Sequence, residues 1–453
     1  MLLTHSLREH PLGPTLAEVM AAALEAVDPT TAVRRSLRYE DGIVQVGSHR
    51  YEATRRLIIV GAGKACAPMA EAAYDILGAR IDAGLVVVKE GHRSTAGEHI
   101  GPVAVLEAAH PIPDERNRIA AERLAMLLDN LEEDDLVLVL ISGGGSALLT
   151  LPAPGLSLAD LQALTATLLR CGATIGEING LRKHCSQLVG GQLARRAAPA
   201  HIAALIISDV VGSPLDVIAS GPTAPDPTTF LDAWEVVKRY GIMDQLPPAL
   251  IEHMQRGLRG EAPETVKPGE ALWDRVANEV IATNATAAEA AVAAARQRGL
   301  NTMLLTTFLE GEAREVGRVA AALARELALH GGPLQPPALI VAGGETTVTL
   351  RGDGLGGRNQ ELALGAVRGM AGLRGALLAA LATDGGDGPS DAAGAVVTGD
   401  TLVRAGQLGL DLDRFLRHND AYHFFAPLDD LLRPGPTLTN VNDLLFIAVA
   451  NNA

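Results

Sequence analysis

From residue 55 onward, short uninterrupted apolar runs alternate with longer stretches whose apolar positions recur every three to four residues. "RRLIIV", "GLVVVKE", "VAVLEAAHP" and "DLVLVLI" are of the first kind and predict strands; "GKACAPMAEAAYDIL" and "RNRIAAERLAMLLDNL" are of the second and predict helices. Apolar runs set between amphipathic helices are the pattern of a parallel sheet covered on both faces, so a doubly wound α/β layout is expected. "LSLADLQALTATLLRCG" and "IGEINGLRKHCSQLVGGQLARRA" continue as helices, and "AALIISDVVG" as a further strand. Prolines and charges then cluster over 241–272 without a long apolar run, which predicts a domain boundary. Alternation resumes with "NEVIATNATAAEAAVAAARQRGL", "NTMLLTT", "PALIVAGGETTVTL", "GGRNQELALGAVRGM" and "ALLAALATDGGDG". The expected division is an N-terminal domain over 1–240, a linker over 241–272 and a second α/β domain over 273–453. The last segment of the second is free to pack back on the first.

Composition narrows the class. The 453 residues suit two domains, and 48% hydrophobic residues with only 3% aromatic and 48 glycines describe an α/β protein built from small and aliphatic side chains. A net charge of −15 and the absence of a lysine- or arginine-rich stripe argue against nucleic-acid binding. Three widely spaced cysteines, Cys66, Cys171 and Cys185, with no Cys-x-x-Cys pair, fit a reducing, cytoplasmic location. The N-terminus has charged residues by position 8 and no long apolar stretch, so neither a secretory leader nor a membrane span is expected.

Four apolar runs end in glycine-rich turns: "IIVGAGKA" (58–65), "LISGGGSA" (140–147), "IVAGGETT" (340–347) and "LATDGGDG" (381–388). The carboxyl ends of strands in open α/β sheets form the ligand crevice, where glycine lets backbone N–H groups approach an anion. Any one such turn is equally explained by a positive φ; four in parallel contexts favour function. Ser142, Gly143, Gly144, Gly145 and Ser146 thus predict an anion-cradling loop. Gly61 and Gly63 begin a dinucleotide-like turn, but Cys66 stands in place of the third glycine, and no Walker loop is complete there. Lys64 in that turn is placed to hold a phosphate, or is simply a solvated helix-start residue. Arg358, at a predicted helix start beside Glu345, Asn359 and Glu361, is suited to clamp a carboxylate or phosphoryl group; the plainer reading is a salt bridge with Glu361 or Glu345. Asp384 and Asp387 sit on a turn after an apolar run and suit Mg²⁺, although Asp-Gly turns are common without metal. Asp209, just past another predicted strand, is a candidate general base or metal ligand. Asn179 and Arg182 share one helix face at i, i+3. His110, His184 and Cys185 receive no role.

Taken in order, "VGAGKA", "HPIPD", "LISGGGSALL", "NGLRKHCS", "ISDVVG", "SGPTAPDPTT", "GGETTVTL", "GRNQELAL", "TDGGDGPSDAAG" and "NVND" resemble the class II glycerate 2-kinase family over about residues 10 to 450. The resemblance implies a Rossmann-like N-terminal domain, a MOFRL-type C-terminal domain and an active site in the cleft between them. It also implies ATP- and Mg²⁺-dependent phosphorylation of D-glycerate at its 2-hydroxyl, giving 2-phosphoglycerate. Carried over by motif, Lys64 and Arg358 are the principal cations, Asp209 and Asp384 acidic residues of the cleft, and Ser142 to Ser146 its glycine-rich loop. Two positions depart from the family pattern. Val189 precedes Gly190-Gly191 where a lysine is expected, and Leu438 stands where many relatives have glycine.

The expected enzyme is therefore a small-molecule kinase in which Lys64, Arg358 and Mg²⁺ neutralise the transferring phosphoryl group. Glycerate's carboxylate is expected against "SGGGS" and Arg182, and a homodimer is compatible with this reading. A hydroxypyruvate reductase using a nicotinamide cofactor is the alternative function, and a non-catalytic nucleotide- or sugar-acid-binding regulator is a third class.

Overall fold

The uninterrupted apolar runs become a seven-stranded sheet. Its strands are β1 (Leu57–Ala62), β2 (Ala83–Lys89), β3 (Val103–Ala108), β4 (Leu136–Ile141), β5 (His201–Ile207) and β6 (Val276–Ala282), with the short His99–Ile100 at one edge. The order across the sheet is β6-β5-β4-β1-β2-β3 and then residues 99–100. The pairs from β5 through β3 are all parallel. Every residue of β1 and β4 is buried, as a strand covered by helices on both faces requires. The computed structural model describes residues 2–52, 54–93 and 97–451.

The chain runs from β1 outward through β2 and β3, then returns to the other side of β1 with β4 and β5. The direction of winding therefore reverses between β1 and β4, which is where an open α/β sheet forms its ligand crevice. The turns leaving these two strands are Gly61 to Cys66 and Ser142 to Ser146.

A second sheet contains β7 (Asn301–Leu309), β8 (Ala338–Gly344), β9 (Ala376–Ala382), β10 (Gly394–Thr398) and β11 (Asp443–Val449), with Leu431–Leu432 at its edge. Its order is β7-β8-β11-β9-β10 and then 431–432, and only β7 and β8 pair in parallel. The last strand enters between β8 and β9, antiparallel to both, so this sheet is mixed rather than a repeat of the first.

The chain divides into two units, residues 29–281, and the residues up to Asp28 together with those from Ala282 onward. This differs from the expected division in two places. The segment read as a linker contains the helix Pro248–Leu258, whose Leu250 and Met254 join a core with Leu164, Leu181 and Phe230, so 241–272 belongs to the first unit. The N-terminal residues belong to the second: Ser6 donates from its backbone N and its Oγ to the buried Asp430, each at 2.8 Å, and Arg404 donates to the same carboxylate. The final segment is the central strand β11 of its own sheet. Among the described residues no helix is long and apolar enough to cross a membrane.

β4 is anchored at its base by Asp135. This buried carboxylate accepts from Arg55 Nη2 at 2.7 Å, Arg56 Nη2 at 2.8 Å and the Glu132 amide at 2.8 Å. Burial alone would push its pKa up, but Arg56, the Glu132 amide and Arg55 outweigh that and hold it at about 2. A carboxylate depressed in the folded state stabilises the fold above its unfolded pKa and loses that contribution as pH falls through the folded one. Asp135→Asn should therefore cost about 2 kcal/mol at pH 7, a low value for a buried pair because both arginines are partly exposed. Melting temperatures of the two proteins should converge between about pH 4 and pH 2.

Candidate active site

The turn after β1 and the loop after β4 interlock. Gly63 N donates to Val87 O at 3.1 Å, Lys64 N to Gly143 O at 2.9 Å, Ala65 N to Ser142 Oγ at 2.9 Å and Cys66 N to Gly63 O at 3.2 Å. The amides of the Gly61-x-Gly63 turn are thus committed within the protein. Gly63 has φ +147°, and a Cβ there would lie 2.1 Å from Ser142 Oγ, while one on Gly61 would lie 2.5 Å from Leu140 O. These glycines allow close packing of strand on loop. Cys66 opens helix α1 (Cys66–Leu77) and donates from Sγ to Leu140 O at 3.2 Å; burial pushes its thiol up to about 12.

The triple glycine does something different. Among the described residues, the amides of Gly143 and Gly144 have no protein acceptor. Gly144 adopts φ +87°, and its missing Cβ would stand 3.0 Å from the imidazole of His110. Burial, then Lys64, Lys89 and His92, lower the His110 pKa to about 4, so the ring is neutral at pH 7. Asn117 ties this region together. Its Nδ2 donates to Ala109 O and to Ala147 O, each at 2.9 Å, joining the His110 segment to the turn after the glycines.

Beside this loop runs helix α2 (Ile175–His184), started by a capping box between Thr174 and Glu177. Arg182 Nη2 donates to Ser146 O at 3.2 Å, and Ser146 Oγ shares a 2.8 Å hydrogen bond with Ser220 Oγ. Ser220 Oγ donates in turn to Asn179 Oδ1 at 3.3 Å. Asn179 and Arg182, placed on one face by their spacing, are thus joined to the same loop. Arg182 has no carboxylate partner among the described residues, and burial alone lowers its pKa. Ala219 and Ser220 sit at φ +49° and +60°, a conformation non-glycine residues rarely adopt and one that recurs at functional sites. Asp209 lies just past β5, half-buried. Sequence reading passed over His110, Asn117 and Ser220. The segment "SGPTAPDPTT" marked the neighbourhood of Ser220, but not its strained backbone.

The second unit gathers the other candidates. Arg358 opens helix α3 (Arg358–Met370) and pairs with two carboxylates: Nε and Nη2 engage Asp443 at the start of β11, and Nη1 engages Glu345 just past β8. Burial opposes this charge, but Asp443 and Glu345 outweigh it and raise the guanidinium above its ordinary value. Glu361, the other expected partner, is paired with Arg314. Asn284 Nδ2 donates to Asp443 O at 2.9 Å and helps fix that strand start.

Asp387, expected as a metal ligand, has a different commitment. It is buried and caps α3, accepting from Asn359 N at 3.1 Å, Asn359 Nδ2 at 3.3 Å and Gln360 N at 2.8 Å. Burial raises its pKa to about 7 against the opposing pull of those amides. Both oxygens serve the helix end, and the Asn359 side chain also hydrogen-bonds Asp443. Asp384 is half-buried and accepts from Gly386 N at 3.1 Å. Among the described residues no group of three or more His, Cys, Asp or Glu side chains is arranged to hold a metal ion.

Comparison with known proteins adds an independent line. The model for the family described as "Domain of unknown function (DUF4147)" matches residues 15–255, and that for the "MOFRL family" matches residues 338–443. A protein of Pyrococcus horikoshii named glycerate 2-kinase is 42% identical over 96% of this chain and 96% of its own length. A solved structure of glycerate kinase from Thermotoga maritima superposes with a TM-score of 0.86 at 40% identity, covering 97% of this chain and all of that one. A relative from Agrobacterium vitis, 43% identical over 96% of this chain and 94% of its own, carries the provisional name of a hydroxypyruvate reductase. With both family models matched in chain order and relatives aligned almost end to end, this chain belongs to the class II glycerate 2-kinase family.

Proposed function

We propose that the protein is a glycerate 2-kinase, transferring the γ-phosphoryl group of ATP to the 2-hydroxyl of D-glycerate. The observation that carries this reading is Arg182, a guanidinium partly removed from water that has, among the described residues, no carboxylate partner and is hydrogen-bonded to a loop whose Gly143 and Gly144 amides have no acceptor there. Desolvating a cation is costly unless an anion completes its surroundings, and a carboxylate matches the guanidinium fork. The glycerate carboxylate fills that role, with Ser146, Asn179 and Ser220 beside it.

In the reaction, the substrate's 2-hydroxyl oxygen bonds to the γ-phosphorus while the bond to the β-phosphate oxygen breaks and ADP leaves. Asp209 takes the hydroxyl proton. Lys64 and Arg358, each within its own unit, are cations suited to offsetting phosphoryl charge. Arg358 uses three of its five N–H groups on Asp443 and Glu345, which orient it and leave two for phosphoryl oxygens. A nucleotide-borne Mg²⁺ would need one or two carboxylates from the protein. Asp384 suits that need, whereas Asp387 is withheld by its capping role. Mg²⁺ supplies further neutralisation of phosphate charge when bound.

The reductase reading is weaker on this chain. A nicotinamide cofactor's pyrophosphate needs the amides of the first βα turn, and here those of Gly63 to Cys66 are bonded internally.

ADP release with ATP and Mg²⁺ should depend on D-glycerate, and NADH oxidation with hydroxypyruvate should be absent. The reverse result would reject the kinase reading. Arg182→Met should raise the KM for glycerate about 10–100-fold with a smaller change in the KM for ATP, matching the loss of charged hydrogen bonds worth about 1.5–3 kcal/mol. Arg358→Met should act on kcat, lowering it about 100-fold or more, as removal of a transition-state stabiliser does, while the glycerate KM changes little. Steady-state kinetics on both variants separates the two roles.

A further inference from the structure

The loop from Asp216 to Asp226 holds Ser220 in its left-handed conformation, and a buried lysine stands at both of the loop's ends. Lys183, on α2 one residue beyond Arg182, is almost fully buried, with Nζ 3.4 Å from Asp216 Oδ2 and 3.3 Å from Asp226 Oδ1. Asp226 has no exposed surface and also accepts from Thr228 Oγ1 at 2.9 Å, Thr228 N at 3.2 Å and Thr265 Oγ1 at 2.9 Å. Between the two aspartates, Gly190 N donates to Ser220 O at 2.9 Å and Gly191 N to Gly221 O at 2.7 Å. The lysine stem packs on this support too: a Cβ on Gly190 would lie 3.0 Å from Lys183 Cβ.

We propose that Lys183 is a positioning residue for substrate. Its ammonium clamps the two ends of the 216–226 loop, so that Ser220 Oγ is held against Ser146 and Asn179 beside Arg182. A buried ion cluster is weak as a source of stability, and apolar replacements of similar volume often match it. What apolar replacements cannot supply is a directional tie from one helix to both ends of a strained loop. The same helix thus carries the groups that meet the carboxylate and the tie that sets their neighbour. This proposal rests on the glycerate reading for its substrate, but the clamp itself is independent of it.

The test uses the full chain with Lys183→Met, the charge-balanced pair Lys183→Met with Asp226→Asn, and the milder Asp216→Asn. Lys183→Met alone leaves Asp226 buried and uncompensated, so its melting temperature should fall, and failure to fold would leave the other two variants to decide. The pair should recover most of the melting temperature, yet keep a glycerate KM raised about 10-fold, the order expected of misplacement by a fraction of an ångström to an ångström, with the ATP KM unchanged. Asp216→Asn should raise the glycerate KM in the same direction without loss of stability. Hydrogen exchange should speed up at least about tenfold across 216–226 in the pair and remain unchanged in β1 and β4. Recovery of KM together with melting temperature, or unaltered exchange across 216–226, would overturn the clamp. A wild-type protein that does not phosphorylate glycerate would reject the kinase reading instead, while the exchange result would still decide the clamp.

Discussion

The closeness of two loops at the reversal between β1 and β4 is the constraint on which the first unit's chemistry depends. Ser142 Oγ fills the space a side chain on Gly63 would need and accepts the Ala65 amide, while Lys64 N reaches Gly143 O. With the first turn's amides satisfied in this way, the loop after β4 is the one that offers free donors, at Gly143 and Gly144. A residue other than glycine at position 63 would push the loops apart and displace those donors. The two glycine-rich turns therefore differ in which amides the protein itself uses, although both read alike as sequence.

Support for that loop comes from several elements. Asn117 holds Ala147 to the His110 segment, Asp135 fixes the base of β4, and α2 brings Arg182 to Ser146 and Asn179 to Ser220, its neighbour. Where such a tie ends on a buried group, as at Ala147 O, its loss costs more than its net gain when made. Rigid support of this kind suits a reaction driven by positioning and charge rather than by covalent catalysis.

Much of this was legible because parallel strands covered on both faces must be continuously apolar, which is a local property. The runs at 57–62, 136–141 and 201–207 are strands as expected. Neighbour order is not local, so nothing in "DLLFIAV" announced that β11 would enter between β8 and β9. The attachment of Ser6 to Asp430 is equally invisible, since it joins residues 424 positions apart. Asp387 resembled a metal ligand because a carboxylate after an apolar run carries no mark of the helix end it will cap. The departure at Leu438 also gains a meaning: it sits at φ +59°, where glycine costs nothing and leucine is strained. Val189, in place of a lysine, is simply buried in the core. Lys183 was quoted in the sequence but given no role, because only the fold shows that it faces two aspartates.

The two arginines at the centre of the proposed chemistry are electrostatic opposites, and the difference bears on how an acidic chain handles two anionic substrates. Arg182 has no carboxylate partner among the described residues and sits in a partly desolvated setting, so an anion of fixed charge would gain by arriving. Arg358, with Asp443 and Glu345, belongs to a group whose formal sum is negative, so it offers little to a bound polyanion as a whole. What it does offer, on the proposed role, is a pair of oriented N–H groups that would need no reorganisation when charge shifts between phosphoryl oxygens. Interactions that strengthen only as the reaction proceeds raise turnover without trapping the ground state, and a guanidinium already balanced by carboxylates meets that condition better than a bare one would.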